Sequence, residues 1–306
     1  MNDLQKYFST CLLATAALLG GASPAFAVTG APLLGAASNF AVLSAAPGHG
    51  GAVTCTNSTI SGDVGSSGPK ASVVQTGCTI DGSVIAPVSA QVLTDFNRAY
   101  DQYAAISCTG SLETAYTDTT LTLPPGVYCN DAAVTFTRTT LILDGQGDAN
   151  AVWIFKIGTL GTGALTGTNF SVVMAGNGQP CNVYWWVAQA ATMTTTTLTT
   201  SGFQGTILAG AAITVTGLAG APATTLFNGD ALAKAAVTLT DVVVTSCQAS
   251  GGGNSQSKCN QGVGNGPEGC DPGNSNQGTA YPFGPNSNDE VGGVPGNPGR
   301  KGGNSK

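Results

Sequence analysis

Between residues 28 and 248 apolar and polar residues alternate with a period of two, the pattern of short strands with one buried face. One five-residue form recurs: small–apolar–Thr–apolar–Thr. It stands at Ala52-Val53-Thr54-Cys55-Thr56, Ala133-Val134-Thr135-Phe136-Thr137, Ala190-Ala191-Thr192-Met193-Thr194, Ala212-Ile213-Thr214-Val215-Thr216 and Ala236-Val237-Thr238-Leu239-Thr240. A degraded copy is read at Gly158-Thr159-Leu160-Gly161-Thr162. A second form, apolar–x–Gly–x–apolar, alternates with the first. Its copies are centred on Gly62, Gly82, Gly205 and Gly229. One region breaks the alternation: Val88, Val92, Phe96, Ala99, Tyr100 and Tyr103 recur at three and four residues, which predicts one amphipathic helix over about 87–107. Pro87 suits its first turn.

Repeats about two dozen residues long, each holding several strands and turns, point to a β-solenoid whose stacked coils bury one another. Successive strand residues face opposite sides. Val134 and Phe136, Ile213 and Val215, and Val237 and Leu239 are therefore expected to point inward. The Ala-Thr-Thr triplets must then point outward and line up from coil to coil. The glycines of the second form fit tight corners. The helix is expected to cover one face, over the apolar segments Ala151-Val152-Trp153-Ile154-Phe155 and Val183-Tyr184-Trp185-Trp186-Val187. In the latter, one tryptophan belongs in the core and its neighbour under the helix.

Composition narrows the chemistry. Charged residues make up 8% of the 306, against about a quarter in an ordinary domain, and the net charge is −6. No basic stripe is present to neutralise phosphates, so nucleic acid is excluded as a partner. The single histidine, His49, argues against a His-based triad or a zinc site. No P-loop or dinucleotide fingerprint occurs. No metal and no cofactor is expected, and the chain is read as no enzyme. A solenoid lyase or hydrolase would need clustered carboxylates. Asp144 with Asp148, and Asp63 with Asp81, read instead as loop and corner residues.

Residues 1–27 read as a signal peptide: Lys6, an apolar run over Cys11–Gly21, and an Ala25-Phe26-Ala27 cleavage site. The mature protein is expected to be secreted, or held at the cell surface, with no membrane-spanning segment. Eight cysteines remain after Cys11, an even number that suits disulfides in an oxidising compartment. Proximity suggests Cys55–Cys78, Cys108–Cys129 and Cys259–Cys270. Residues 28–248 form the solenoid domain. Residues 249–306 are a Gly/Asn/Pro-rich tail expected to be disordered. Asp271, Asp289 and Glu290 there match no calcium loop.

An outward grid of threonines has a chemical meaning. Along a strand the hydroxyls stand ~6.6–6.8 Å apart, and between stacked strands ~4.7–4.9 Å. Each Thr presents a hydroxyl and a methyl in a stiff rotamer. Hydroxyls anchor water, methyls leave room for water to cage them, and no mobile charge disturbs the layer. The two repeats lie close to those of ice lattice planes. Ice is thus the expected partner, bound by a monomer. The alternative is a secreted adhesin or matrix protein using the same face on another surface, since Thr is also simply a good strand residue.

Further motifs carry a resemblance. They are Leu34-Gly35-Ala36-Ala37-Ser38-Asn39-Phe40-Ala41-Val42-Leu43, Ile60-Ser61-Gly62-Asp63-Val64-Gly65, Phe96-Asn97-Arg98-Ala99-Tyr100 and Leu123-Pro124-Pro125-Gly126-Val127-Tyr128. The segment from Asp144 to Phe155, Cys181-Asn182-Val183-Tyr184-Trp185 and Asn228-Gly229-Asp230-Ala231-Leu232-Ala233 follow. In this order they resemble the ice-binding proteins of the DUF3494 type. The resemblance implies a mostly β, right-handed, discontinuous β-solenoid of triangular cross-section with one long α-helix packed alongside. It implies adsorption to ice planes, thermal hysteresis and inhibition of recrystallisation. It places the ice-binding surface on the flat face beside the helix-covered one. The matching positions are Ala52, Thr54, Thr56, Ala133, Thr135, Thr137, Thr159, Gly161, Ala190, Thr192, Thr194, Ala212, Thr214, Thr216, Ala236, Thr238 and Thr240.

Overall fold

A computed structural model describes residues 30–197 and 201–247. The expected signal peptide, the tail and the pair Cys259–Cys270 lie outside the described residues. Every strand pairing is parallel, and the strands stack into a three-sided solenoid. In each complete coil the chain makes one strand on each side before returning to the first; Val84–Ile85 leads instead into the helix. The coil Phe40–Ser44, Val53–Thr56, Thr59–Ser61 shows the scheme: helix-covered side, threonine side, third side.

The coils do not stack in chain order. The nine strands of the helix-covered side run, in space, Val84–Ile85, Asp63–Ser66, Phe40–Ser44, Ala231–Ala233, Thr206–Ala209, Val183–Val187, Trp153–Ile157, Gly126–Asn130, Gly110–Ser111. The first coils thus occupy one end, and the last coil of the chain seats itself against them. Between the two ends runs the helix, Ala90–Ala105. Its 16 residues make a rod of about 24 Å, or roughly five strand spacings. It therefore carries the chain from one end of the stack to the other, which makes the solenoid discontinuous.

The helix starts later than the hydrophobic period suggests. Ser89 is its N-cap and accepts the Val92 N–H at 3.4 Å. Pro87 follows a cis bond outside the helix. The cap explains the shift, because a hydroxyl takes up an otherwise unpaired N–H of the first turn. Val92, Phe96, Ala99, Tyr100 and Tyr103 form the buried stripe, packed on Phe40, Leu43, Ile154, Trp186, Leu208 and Leu232. Two charges fasten the rod. Asp95, 5% exposed, accepts Ala36 N–H at 2.9 Å and Gln91 Nε2 at 2.8 Å and pairs with Arg98 at 2.6 Å. Those bonds hold its carboxyl below the usual carboxylate range. Lys156, 4% exposed, reaches from the sheet and donates to the carbonyls of Ala104 and Ile106 at 2.7 and 2.6 Å. A cation at the carbonyl end of a helix is favourably placed, although burial pushes the Lys156 ammonium down.

Central strands of the helix-covered side, such as Trp153–Ile157 and Val183–Val187, are buried on both faces; one face meets the helix and the other the solenoid interior. Tandem Trp185 and Trp186 divide as expected. Trp185 stacks on Phe155 inside, centroids 4.0 Å apart, and Trp186 meets Tyr100 under the helix at 5.2 Å. Aromatic rings continue the core along the axis, with Phe136 stacked on Phe170 at 4.3 Å and Phe203 on Phe227 at 5.1 Å. Each such ring buries a large apolar area and sets the spacing of neighbouring coils. Cys55–Cys78 and Cys108–Cys129 form as expected, and each staples an end coil to its neighbour. A third bridge, Cys181–Cys247, joins residues 66 apart in the chain. Proximity in sequence did not reveal it, because only the closed solenoid brings those coils together.

Candidate functional site

The inward and outward split follows the alternation. Val53 and Cys55, Val134 and Phe136, Ile213 and Val215, and Val237 and Leu239 are fully buried or nearly so. The intervening threonines are half-buried, each shielded by equivalent residues on the neighbouring strands. That shielding limits rotamer freedom, so the surface is ordered before anything binds it.

Register turns these side chains into columns. In the eight-stranded sheet the middle outward position reads Val74, Thr54, Thr238, Thr214, Thr192, Thr166, Thr135, Ala115 from end to end. The last position reads Thr76, Thr56, Thr240, Thr216, Thr194, Thr168, Thr137, Thr117, an unbroken file of threonine. Beside them, toward the helix-covered side, runs a file of Ala52, Ala236, Ala212, Ala190, Ala164 and Ala133. The carbonyls of Ala52, Ala236, Ala212, Ala190 and Ala164 accept the N–H groups of the adjoining strands, as Ala52 O does from Val237 at 3.0 Å. No position in the three files carries a charge. The sheet spans about 34 Å along the stack.

Fifteen of the seventeen residues singled out from the sequence stand in these files. Thr159 and Gly161 do not. Thr159 lies past the end of strand Trp153–Ile157, its hydroxyl bonded to the Asp131 carboxylate, and Gly161 occupies an exposed turn at φ 90°. The strand of that coil is Leu165–Thr168, whose outward residues are Thr166 and Thr168. The sequence carries the signal as Ala164-Leu165-Thr166-Gly167-Thr168, with Gly167 in the second apolar place. Gly167 fits there because the Met193 sulfur fills its space: a Cβ would stand 2.6 Å from Sδ. Thr168, Ala164, Thr76 and Thr117 also went unmarked, the last two on end strands whose apolar partners are weak.

Two kinds of corner flank this side. Toward the third side, Asn57, Gly77, Asp118, Arg138, Asn169 and Asp241 all adopt positive φ. The N–H groups of Asn57, Asp118, Arg138, Asn169 and Asp241 bond the last threonine carbonyl of the next strand, as Arg138 N–H does to Thr168 O at 2.8 Å. Asn and Asp suit this conformation, whereas arginine does so rarely. Arg138 is tied down by Asp118, 2.5 Å away. Between the third side and the helix-covered side, Gly62 and Gly205 take positive φ, and Gly82 and Gly229 lie directly on their backbones. A Cβ on Gly82 would come within 2.3 Å of the Gly62 carbonyl carbon. The glycines of the second repeat are therefore corner residues, as their pattern suggested.

Such a surface has little to offer a reaction. Among the described residues no cluster of His, Cys, Asp or Glu could hold a metal ion, and no carboxylate stands on the threonine side. It presents hydroxyls and methyls in register and without charge.

The family model described as "Ice-binding-like" matches residues 44–245. The chain belongs to the ice-binding-like family. An ice-binding protein of Nostoc sp. (strain HG1) is 34% identical over 187 residues, covering 60% of this chain and 64% of that protein. Ice-binding protein 1 of Shewanella frigidimarina (strain NCIMB 400) is 38% identical over 96 residues, covering 31% of this chain and 10% of that protein. The chain thus matches less than two thirds of either relative's length. A crystal structure of an ice-binding protein from the Antarctic ascomycete Antarctomyces psychrotrophicus superposes with a TM-score of 0.58 at 30% identity, over 71% of this chain and 98% of that one. These family relatives are named for binding and not for a reaction. The mostly β, parallel-stranded solenoid with one helix is the architecture they share with this chain.

Proposed function

We propose that this protein adsorbs to ice through its Ala/Thr/Thr files, producing thermal hysteresis and inhibiting recrystallisation. The observation that carries the reading is the in-register stacking of threonine upon threonine across the sheet without one charge. Threonine hydroxyls spaced on a fixed lattice hold first-layer water in place. The γ-methyls and the alanine file leave apolar space between the anchored molecules, where water can only order around them. Because the side chains are already fixed, little conformational entropy is lost on adsorption. Ala52, Ala133, Ala190, Ala212 and Ala236 with their paired threonines form this surface, together with Ala164, Thr166 and Thr168. One copy carries the whole lattice, so the adsorbing unit is a monomer.

Membership of the ice-binding-like family supports the reading. Three disulfides suit an oxidising compartment, and among the described residues no helix is long and apolar enough to cross a membrane. Both fit an extracellular protein that meets ice outside the cell. The test is partition: a slowly frozen solution of the labelled chain with a labelled control protein. Enrichment of the chain in the ice over the control supports adsorption. Exclusion of both into the liquid refutes it and leaves the adhesin reading, in which the same face binds another surface.

A further inference from the structure

The threonine side is one surface made of two blocks. Strands Val73–Thr76 and Val53–Thr56 form the first, and the six strands from Val237–Thr240 to Ala115–Thr117 form the second. No stretch of chain crosses directly from one block to the other. Strand Val53–Thr56 pairs with Val237–Thr240, while the chain itself travels between the blocks through the helix. A parallel backbone ladder repeats every two residues, so alone it tolerates a slip that keeps inward side chains inward. A further contact has to hold Thr54 against Thr238 and Thr56 against Thr240.

Two buried serines stand at the two corners that flank Val53–Thr56. Ser44, fully buried, ends the preceding strand of the helix-covered side. Its hydroxyl donates to Ala235 O of the last coil at 2.7 Å and accepts the Ala52 N–H of its own corner at 2.9 Å. It thereby fastens Ala52 beside Ala236, its neighbour in the alanine file. Ser58, also buried, follows at the other corner. Its hydroxyl donates to Thr56 O at 2.7 Å and accepts the Val242 N–H of the last coil at 3.1 Å. Each hydroxyl thus bonds both sides of the join. Across the second block the strand position of Ser44 is filled by Ala233, Ala209, Val187 and Ile157. A hydroxyl in such an apolar column has no packing purpose and is costly unless paired. Its two bonds across the join account for it.

We propose that Ser44 and Ser58 are positioning residues for ice adsorption: they lock the two blocks in register, and full activity requires the joined lattice. The proposal rests on adsorption through the threonine files. Neither serine meets ice; each acts through the outward side chains of Thr54, Thr56, Thr238 and Thr240. With both hydroxyls removed, the join opens or slips at its two ends. The threonines on either side then leave their common repeat, and a surface of eight strands behaves as one of six. Such bonds also exist within a block. Thr139, at the place equivalent to Ser58 in another coil, donates to Tyr116 O at 3.1 Å and to Thr137 O at 3.2 Å. There the two coils follow one another in the chain and are already tied by it, so that hydroxyl adds stability without deciding register.

The test compares thermal hysteresis of the full chain as wild type, Ser44→Ala, Ser58→Ala, the double variant, Ser58→Thr and the control Thr139→Ala. Circular dichroism checks that each is folded. Hysteresis is read near the freezing point, well below the melting transition, so a uniform loss of stability leaves the folded fraction and the reading unchanged. The double variant should lose most of its hysteresis and each single alanine variant part of it. Hydrogen exchange should quicken at the Val237 amide, which crosses the join to Ala52 O without touching either serine. Thr139→Ala should keep the wild-type gap. Ser58→Thr should keep it too, because it restores the hydroxyl at a kind of corner where Thr139 shows that threonine fits. Should the double variant fail to fold, the single variants carry the same comparison. Serine variants with the hysteresis of Thr139→Ala would overturn the proposal and leave adsorption standing. A wild type without hysteresis would overturn adsorption, and the clamp with it.

Discussion

Thr54 stands opposite Thr238 in register, so the first coil of the chain closes on the last. Thr56 and Thr240 repeat the relationship one step on. The seam is sealed by Val237 N–H to Ala52 O at 3.0 Å and Val242 N–H to Ser58 Oγ at 3.1 Å. The threonine files cross this seam without interruption, although the residues that meet there come from opposite parts of the sequence. A lattice built this way depends on the last coil being seated.

The bridge Cys181–Cys247 ties that last coil to the strand Val183–Val187 region. Its removal is expected to cost about 2–5 kcal/mol, the usual range for a native disulfide. For a domain of this size each kcal/mol is worth roughly 2–4 °C in Tm. The double variant Cys181→Ala, Cys247→Ala should therefore melt several degrees lower in a thermal scan. An unchanged Tm would show that the seam holds without the bridge.

Thr166 and Thr159 separate the observed strand from the one first read in the sequence. Thr166 lies in the middle file between Thr192 and Thr135, and Thr159 lies off the sheet beside Asp131. Thr166→Tyr should lower ice activity sharply, and Thr159→Tyr should leave it near wild type. Both positions are partly exposed, and circular dichroism checks that each variant is folded. Recrystallisation assays on the two variants check this. Equal loss in both would place the active lattice elsewhere.

Asp230 gives the fold a pH dependence of unusual sign. It is 3% exposed and accepts Ser246 Oγ at 2.6 Å, Cys247 N–H at 3.0 Å and Thr206 Oγ1 at 3.1 Å. Burial outweighs these bonds and pushes its carboxyl up to about 6, from an ordinary 3.8. Between those values the folded chain keeps a proton that the unfolded chain has released, so stability falls as pH rises through the window. Asp95 and Asp118 are displaced downward instead, by their hydrogen bonds to Ala36 and Arg138. Their contribution is present above the ordinary value and is lost only as pH falls through their lower folded values. Melting curves should rise from about pH 7 to about pH 4.5. In Asp230→Asn, which keeps an acceptor for Ser246 and Cys247, that rise should disappear. The same slope in both proteins would remove Asp230 as its source.

Much of this arrangement was legible before any coordinates. Period-two alternation around Thr214 and Thr238 told which side chains are buried, and the three-and-four spacing from Val92 to Tyr103 told which face of the helix is. What escaped notice did so for physical reasons. Gly167 hides one repeat because a methionine on the next strand supplies its missing volume. The helix boundary moved to Ala90 because capping by Ser89, not the apolar period, sets the first turn. Cys181–Cys247 and the Thr54–Thr238 seam depend on the order in which coils stack. That order is decided by the helix carrying the chain from one end to the other, which local pattern does not encode. Corner residues such as Arg138 give no signal at all, since its side chain is held by a partner, Asp118, from another coil.

The central claim is that the uncharged threonine lattice is the surface that meets ice. Its most direct test is thermal hysteresis, with crystal shape recorded, for the wild type, Thr238→Tyr on the lattice and Thr122→Tyr on the third side. Thr238 is half-buried in the middle file, and Thr122 faces outward from Thr120–Leu123. The wild type and Thr122→Tyr should shape ice and hold a freezing gap, and Thr238→Tyr should lose most of that gap while remaining folded. A wild type without ice shaping at about micromolar concentration, or a Thr238→Tyr variant with undiminished hysteresis, would contradict the claim.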